Sequence, residues 1–151
     1  MLSTFEKLNL KNYSHVVVLN APPSFEPELA ALQVPVVRSL KELDGIEFSL
    51  AFVTRQQEVD SLGKAIAKKA KGDAVVWFAY PKGTSKKYKS EINRDSGWQV
   101  LGKAGFEPVR MIAIDEDWSA CRFRRTEFIK TMTRAKEHRM SVQGKSRPAK
   151  R

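Results

Sequence analysis

The stretch AVVWFAYPKGTSKKYKSEINR, residues 74–94, decides the fold of this chain. It opens with seven consecutive apolar residues, 74–80, and a run of this kind is typical of a strand covered on both faces of a parallel sheet. Pro81 ends the run. The loop that follows is cationic and carries Lys82, Lys86, Lys87, Lys89 and Arg94 against one acid, Glu91. Because ligands bind beyond the carboxyl ends of parallel strands, we expect a functional site in this loop.

Five further strands are predicted on either side of this run. They cover residues 15–20, 34–37, 46–53, 108–114 and 118–124, which are short segments rich in apolar residues. The last two are separated only by Asp115, Glu116 and Asp117, a connection short enough for an antiparallel hairpin.

Helices are predicted between the strands. Residues 26–32 follow Ser24 and residues 56–71 follow Thr54, and each hydroxyl is a candidate N-cap. The second of these helices is expected to stop at Gly72, and a third, residues 94–103, at Gly105. Residues 5–10 and 39–43 are expected to form short helical turns. This alternation predicts an α/β fold, a three-layer Rossmann-like sandwich whose mostly parallel sheet ends in an antiparallel hairpin.

Positive charge is concentrated at the end of the sequence. The formal net charge is +10, yet residues 1–121 contain 16 Lys and Arg against 15 Asp and Glu, whereas residues 122–151 contain 11 against 2. We therefore predict one Rossmann-like domain, residues 1–125, followed by a basic C-terminal helix and a disordered tail, residues 126–151. Such a tail favours sequence-independent contact with nucleic acid through Arg134, Lys136, Arg139, Lys145, Arg147, Lys150 and Arg151.

The tail has two alternative interpretations. It can be a solubilising extension without a binding role. Alternatively, residues 126–140 can pack as a helix on another subunit, which predicts a homodimer.

Composition excludes several classes of protein. A chain of 151 residues that is 42% hydrophobic supports one substantial core. Its one cysteine, Cys121, permits neither an internal disulfide nor a zinc site of the usual spacing, and it is expected to be buried. His15 and His138 suggest no catalytic triad. No apolar run approaches the roughly 20 residues that span a bilayer, so we expect a cytoplasmic protein without a membrane partner.

The cationic loop is the candidate anion site. A phosphate or carboxylate would be held by the loop and by arginines that follow neighbouring strands; the predicted residues are Lys82, Gly83, Ser85, Lys86, Lys87, Lys89, Arg55 and Arg38. The alternative is a solvated, mobile lysine loop. The acids at 115–117 are interpreted as turn residues that pair with Lys82, Lys86 or Arg94 rather than as a cation site. Among the tryptophans, Trp118 is expected to be partly exposed, whereas Trp77 and Trp98 are expected in the core or at a subunit contact.

Two resemblances to known families follow from these segments. The strand GDAVVWFAYPKG and the segment GWQVLGKAGFEPVRMIAIDEDWSACRFR resemble an abbreviated Rossmann-type methyltransferase fold. More closely, LNLKNYSHVVVLNAPPSFEPEL, WFAYPKGTSK and AIDEDWSACRFR resemble a family of small bacterial proteins known only as a domain of unknown function. The second resemblance covers most of residues 8–124 and implies a fold but no activity.

The methyltransferase resemblance implies a site for S-adenosylmethionine. Such a site needs glycines after the first strand and an acid after the second. This chain has no Gly-rich loop; Asn20, Ala21, Pro22 and Pro23 follow the first strand, and Arg38 follows the second. We therefore predict a non-catalytic binding module for an anionic small molecule or protein, with no cofactor. Nucleic-acid binding through the tail and a divergent methyltransferase are the alternatives.

Overall fold

Six strands form one sheet in the computed structural model, which describes residues 4–11, 13–41, 43–93 and 96–129. They are β1 (Val16–Leu19), β2 (Val36–Val37), β3 (Ile46–Phe52), β4 (Ala70–Pro81), β5 (Phe106–Ala113) and β6 (Trp118–Arg125). The order across the sheet is β2-β1-β3-β4-β6-β5.

The strand directions confirm the predicted fold class. Strands β2, β1, β3 and β4 pair parallel to one another, and β6 lies antiparallel to both β4 and β5. The sheet is therefore mostly parallel and ends in an antiparallel hairpin. The long apolar run became β4, which lies between β3 and β6 and is buried from Ala74 to Pro81.

Four short or medium α-helices flank the sheet. They are α1 (Thr4–Lys7), α2 (Glu26–Ala30), α3 (Gln56–Lys69) and α4 (Gln99–Lys103), and 3-10 helices cover Pro23–Phe25 and Thr126–Phe128. Several local predictions were wrong. The helix predicted over residues 94–103 begins only at Gln99, and residues 96–98 are not helical. Ser24 does not cap α2 because it lies inside the first 3-10 helix, and residues 39–41 are not helical. Gly105 has a φ of 89°, as expected for the residue that ends α4.

Helix α3 ends earlier than the sequence predicted. It stops at Lys69, and β4 begins at the next residue, so Gly72 lies in the strand instead of ending the helix. The physical reason is the guanidinium of Arg125, which donates to the carbonyl oxygens of Ala67 at 3.2 Å, Ala70 at 2.9 Å and Gly72 at 2.7 Å. The bonds to Ala67 and Ala70 satisfy carbonyls at the end of the helix that have no partner further along it, and the bond to Gly72 joins Arg125 to the start of β4.

Two hydrophobic layers enclose the sheet, which makes the fold a three-layer sandwich. One layer packs beneath α3 and includes Val59, Ile66 and Phe78. The other packs beneath α1 and α2 and includes Phe48 and Trp77, whose indole N–H donates to the carbonyl of Leu8 at 2.9 Å. Trp77, Trp98 and Cys121 are buried, as expected.

The chain continues to contact the domain beyond residue 125. Thr126 donates through its backbone N–H and its hydroxyl to the carbonyl of Gly105, at 2.9 and 3.0 Å. The expected helix does not begin at Thr126, because Ile129 has an extended backbone with φ −92° and ψ 111°. Residues 130–151, with the rest of that predicted helix and the tail, lie outside the described residues. The domain boundary stays a prediction.

Candidate functional site at the carboxyl edge of the sheet

Strands β1, β2, β3 and β4 all end at one edge of the sheet, which we call the carboxyl edge. The order of the strands places a topological switch point there, because β2 lies on one side of β1 and β3 on the other. Ligands of open α/β sheets bind in the crevice at such a point. The hairpin turn between β5 and β6 also reaches this edge, since Lys82 N donates to Asp117 O at 2.8 Å.

The turn after β1 offers few backbone donors to a ligand. Asn20 has a φ of 58°, and Pro22 and Pro23, which lack an N–H, follow closely. The ring of Phe25 packs against Phe52 at the end of β3, with 4.9 Å between the ring centroids. Phe25 is buried, so an aromatic side chain of the protein itself fills space beneath the switch point.

Arg38 follows β2 and is bound to Glu26 of α2. Its two terminal nitrogens donate to the two carboxylate oxygens at 2.8 and 2.7 Å. The hydrogen bonds lower the pKa of Glu26 and raise the pKa of Arg38. Arg38 also lines an open groove of about 500 Å³, together with Val37, Ser39, Lys41 and Leu43. This volume lies within the usual range for small-molecule sites.

Two carboxylates occupy the N-terminus of α3. Glu58 Oε1 accepts hydrogen bonds from the backbone N–H groups of Thr54 and Arg55, at 2.8 and 3.0 Å. Glu91 Oε1 accepts one from Gln56 N at 2.9 Å. A helix N-terminus normally attracts anions. Here the protein supplies the anions itself, and the predicted cap Thr54 contributes its backbone N–H while its hydroxyl donates to Glu58 at 3.2 Å.

The basic loop, residues 82–93, is anchored at both ends. Near its start, Ser85 Oγ donates to Asp117 Oδ1 at 2.8 Å and accepts from Tyr88 N at 3.1 Å. Near its end, Glu91 N donates to Thr54 O at 2.9 Å. The ring of Tyr88 lies 4.9 Å from Trp118. These contacts hold the backbone of the loop against the carboxyl edge.

Most of the lysines of this loop are exposed to solvent. Lys86, Lys87 and Lys89 are exposed, and Lys82 is half-buried. Lys87 Nζ lies 5.8 Å from the centre of the Tyr88 ring, a weak cation–π contact. The expected ion pairs with the hairpin acids do not form with Lys82 or Lys86 in the described part of the chain. Asp117 binds Ser85, and Asp115 accepts from the backbone of its own turn, from Asp117 N at 2.8 Å.

The structure divides the predicted anion site into two places. Lys82, Gly83, Ser85, Lys86, Lys87 and Lys89 share the basic loop, and Arg55 follows the adjacent strand β3 with an exposed side chain. Arg38 follows β2, three strands from β4. At about 4.8 Å between neighbouring strands, this separates the two strand ends by about 14 Å. One small anion therefore cannot bind Arg38 and Lys82 together without a rearrangement.

The sequence interpretation missed three features of this edge. Trp118 is only 3% exposed, because Tyr88 and Phe52 cover it. The role of Glu58 was missed because the structure begins α3 after Arg55, three residues before Glu58, and not after the predicted cap Thr54. No local sequence pattern indicated the role of Glu91, because it binds a backbone group 35 residues away.

The tail residues proposed for nucleic acid, from Arg134 to Arg151, lie outside the described residues, as does Arg94. Within the described ranges, no three His, Cys, Asp or Glu side chains are grouped in a way that could hold a metal ion. The helices of the same ranges include none long and apolar enough to cross a membrane.

Comparison with known proteins gives likeness at the level of the fold only. No family model matches the sequence, and none of the curated proteins does; the resemblance to a bacterial family of unknown function is therefore unsupported. Among solved structures, the pyocyanin biosynthetic protein PhzM is 13% identical with a TM-score of 0.49; the match covers 83% of this chain and 55% of that one. This chain thus spans about half the length of PhzM.

Two methyltransferases are also similar in structure. The N-methyltransferase NodS from Bradyrhizobium japonicum WM9 is 10% identical with a TM-score of 0.43, over 74% of this chain and 84% of that one. A candidate type 11 methyltransferase from Sulfolobus solfataricus is 9% identical with a TM-score of 0.46, over 81% and 90%. These similarities concern the fold. They carry no argument about activity.

Proposed function

We propose that the basic loop binds an anionic group of a small molecule at the carboxyl edge of the sheet. The observation that carries this proposal is the anchoring of the loop. The Ser85–Asp117 hydrogen bond and the bond from Glu91 N to Thr54 O fix the loop, while Lys86, Lys87 and Lys89 remain exposed and without an ion pair among the described residues. A fixed backbone lowers the conformational entropy that the loop loses when its lysines close on an anion.

A divergent S-adenosylmethionine-dependent methyltransferase is the second candidate. The similar methyltransferase structures and the groove beside Arg38, at the end of β2, favour it. The usual contacts to this cofactor have no matching residues, however. Prolines replace the glycine turn and Arg38 replaces the ribose-binding acid. Glu91 takes the N–H of Gln56, the first residue of α3, and Glu58 takes those of Thr54 and Arg55 just before it.

One titration experiment separates the two candidates. Isothermal titration calorimetry is run on the full chain with S-adenosylmethionine, S-adenosylhomocysteine, nucleotides, sugar phosphates and acyl-coenzyme A compounds. The loop variant is Lys82→Gln with Lys86→Gln and Lys87→Gln. Its matched control neutralises the same number of exposed lysines on the helices, Lys64, Lys68 and Lys103.

The anion proposal expects a ligand whose affinity falls at least about tenfold in the loop variant and is unchanged in the control, because charge-assisted hydrogen bonds contribute about 1.5 to 3 kcal/mol each. Equal losses in both variants would contradict it. The methyltransferase candidate instead expects binding of S-adenosylmethionine that is sensitive to Arg38→Gln. If none of these compounds binds the wild-type chain, both candidates fail.

A further inference from the structure

Three arginines lie on one face of the hairpin, away from the carboxyl edge. In the β5–β6 register Arg110 is directly opposite Arg122, and Arg124 is two residues further along β6 on the same face. We call these three residues the arginine face. It lies on the side of the sheet opposite α3, because Ile112 and Ala120, which share this face, pack in the layer with Trp77. Arg122 is four residues from Trp118, which places it about 13 Å from the carboxyl edge.

The three guanidinium groups differ in their partners. Arg124 donates through Nε and a terminal nitrogen to the two carboxylate oxygens of Asp73, at 2.8 and 2.6 Å. Arg122 has a buried Nε without a hydrogen-bond partner. Arg110 is exposed and forms neither a hydrogen bond nor an ion pair within the described residues. Two cations therefore face each other without a counterion between them.

This arrangement is unfavourable for the protein alone. Like charges directly opposite on neighbouring strands are destabilising, and a partly buried unpaired charge adds a desolvation cost. Burial lowers the pKa of Arg122, the charges of Arg124 and Arg110 lower it further, and Asp73 and Tyr13 offset part of the effect. Asp73 does not neutralise the pair, since Arg124 binds both of its carboxylate oxygens, and Glu107 lies opposite Arg124 rather than beside Arg110 and Arg122.

We propose that Arg110 and Arg122 bind a phosphate group of a small molecule between their guanidinium groups. Guanidinium forks match the geometry of a phosphate, which can accept two parallel hydrogen bonds from each arginine. An anion held there by the terminal nitrogens of the two arginines removes the repulsion across the strands. The site is separate from the basic loop, so it does not depend on the function proposed above.

The first test measures thermal unfolding of the full chain in sodium chloride, inorganic phosphate and pyrophosphate at equal ionic strength and pH. We expect phosphate and pyrophosphate to raise the melting temperature of the wild type more than chloride does. Arg110→Gln should lose this response, and its dissociation constant for pyrophosphate in calorimetry should rise at least about tenfold. Arg110 is exposed, so this variant should fold. Lys103→Gln, which removes an exposed cation from α4, should respond like the wild type.

Two further comparisons make the test specific. In chloride alone, Arg110→Gln should melt at a higher temperature than the wild type because the repulsion across the strands is gone, whereas Lys103→Gln should not. The loop variant with Lys82, Lys86 and Lys87 neutralised should keep the phosphate response. The proposal is overturned if Arg110→Gln responds like Lys103→Gln, if the loop variant loses the response, or if phosphate stabilises the wild type no more than chloride.

Discussion

The carboxylate of Glu91, in the basic loop, accepts a hydrogen bond from the backbone N–H of Gln56, with 2.9 Å between Glu91 Oε1 and Gln56 N. Gln56 is the first residue of α3, so an acid from a distant part of the chain completes the start of this helix. The same residue fixes the loop, because Glu91 N donates to Thr54 O. Glu91 thus stabilises the start of the longest helix and also holds the loop that carries the lysines.

Glu91→Ala should therefore destabilise the protein. We expect the free energy of unfolding to fall by about 1 kcal/mol, because the variant loses a helix cap and a charge that interacts favourably with the helix dipole. Urea denaturation measures this change. Glu116→Ala is the control, since Glu116 is exposed in the hairpin turn. An equal effect of both substitutions would mean that the cap contributes nothing specific.

Removal of the hydroxyl group should change the free energy of unfolding in opposite directions at two serines. Ser49 is fully buried in β3 and its Oγ has no hydrogen-bond partner, so Ser49→Ala should raise the free energy of unfolding by about 1 kcal/mol. Ser85 binds Asp117, so Ser85→Ala should lower it by about 1.5 kcal/mol. Chemical denaturation of the two variants gives both values. A loss of stability in Ser49→Ala would show that its hydroxyl has an acceptor.

Two glycines near the site provide a test of backbone strain. Gly97 has a φ of 99°, and a Cβ there would collide with the side chain of Ile92. Gly97→Ala should reduce stability by about 1 to 3 kcal/mol. A Cβ on Gly83 would meet nothing within 4 Å, so Gly83→Ala should be nearly neutral. Melting temperatures by differential scanning calorimetry compare the pair, and similar losses in both would contradict the reasoning.

The Glu26–Arg38 pair makes a prediction about pH. The pKa of Glu26 lies below its ordinary value of 4.5, so the contribution of the pair to folding is present above that pH and is lost as pH falls through the lowered pKa. An NMR titration of the Glu26 carboxyl group measures its pKa. Arg38→Gln should return the pKa toward its ordinary value, and Lys41→Gln, next to Arg38 in the groove, should leave it low. An unchanged pKa in Arg38→Gln would rule out the pair as the cause.

The tail prediction requires a truncation that spares the domain. A chain that ends after Ile129 keeps the Thr126 hydrogen bonds to Gly105, whereas one that ends after Arg125 removes them. If the tail binds nucleic acid, the full chain should bind short single-stranded DNA with an affinity that falls steeply with salt, and the truncated chain should not. Fluorescence anisotropy at several salt concentrations provides the measurement. Equal binding by both chains would exclude the tail as the contact.

Local sequence patterns predicted much of the fold. The apolar run in residues 74–80 identified β4, and Gly105 identified the end of α4, because each depends on residues that are neighbours in sequence. The bounds of α3 were less accurate, since its last turn is completed by Arg125 from a distant strand. Residues 39–41 did not form the predicted turn of helix.

The arrangement of the site was harder to predict than the elements that surround it. The sequence identified the basic loop, but it grouped Arg38 with Lys82, which the strand order separates. Placement of Arg110 opposite Arg122 depends on the register of the hairpin and on the irregularity between Pro108 and Arg110. A shift of one residue would turn one of these side chains to the other face of the sheet.

The contact between Tyr88 and Trp118 gives the protein an internal optical probe. Tyr88 belongs to the basic loop, and its ring lies 4.9 Å from an indole that is held rigidly at the edge of the sheet. Trp77 and Trp98 are buried elsewhere and provide a constant background. A ligand that moves the loop should therefore change the near-ultraviolet circular dichroism and the emission of Trp118. Ligand binding to the loop can therefore be followed in the unlabelled protein. Trp118→Phe should abolish the spectral change, which would assign it to Trp118.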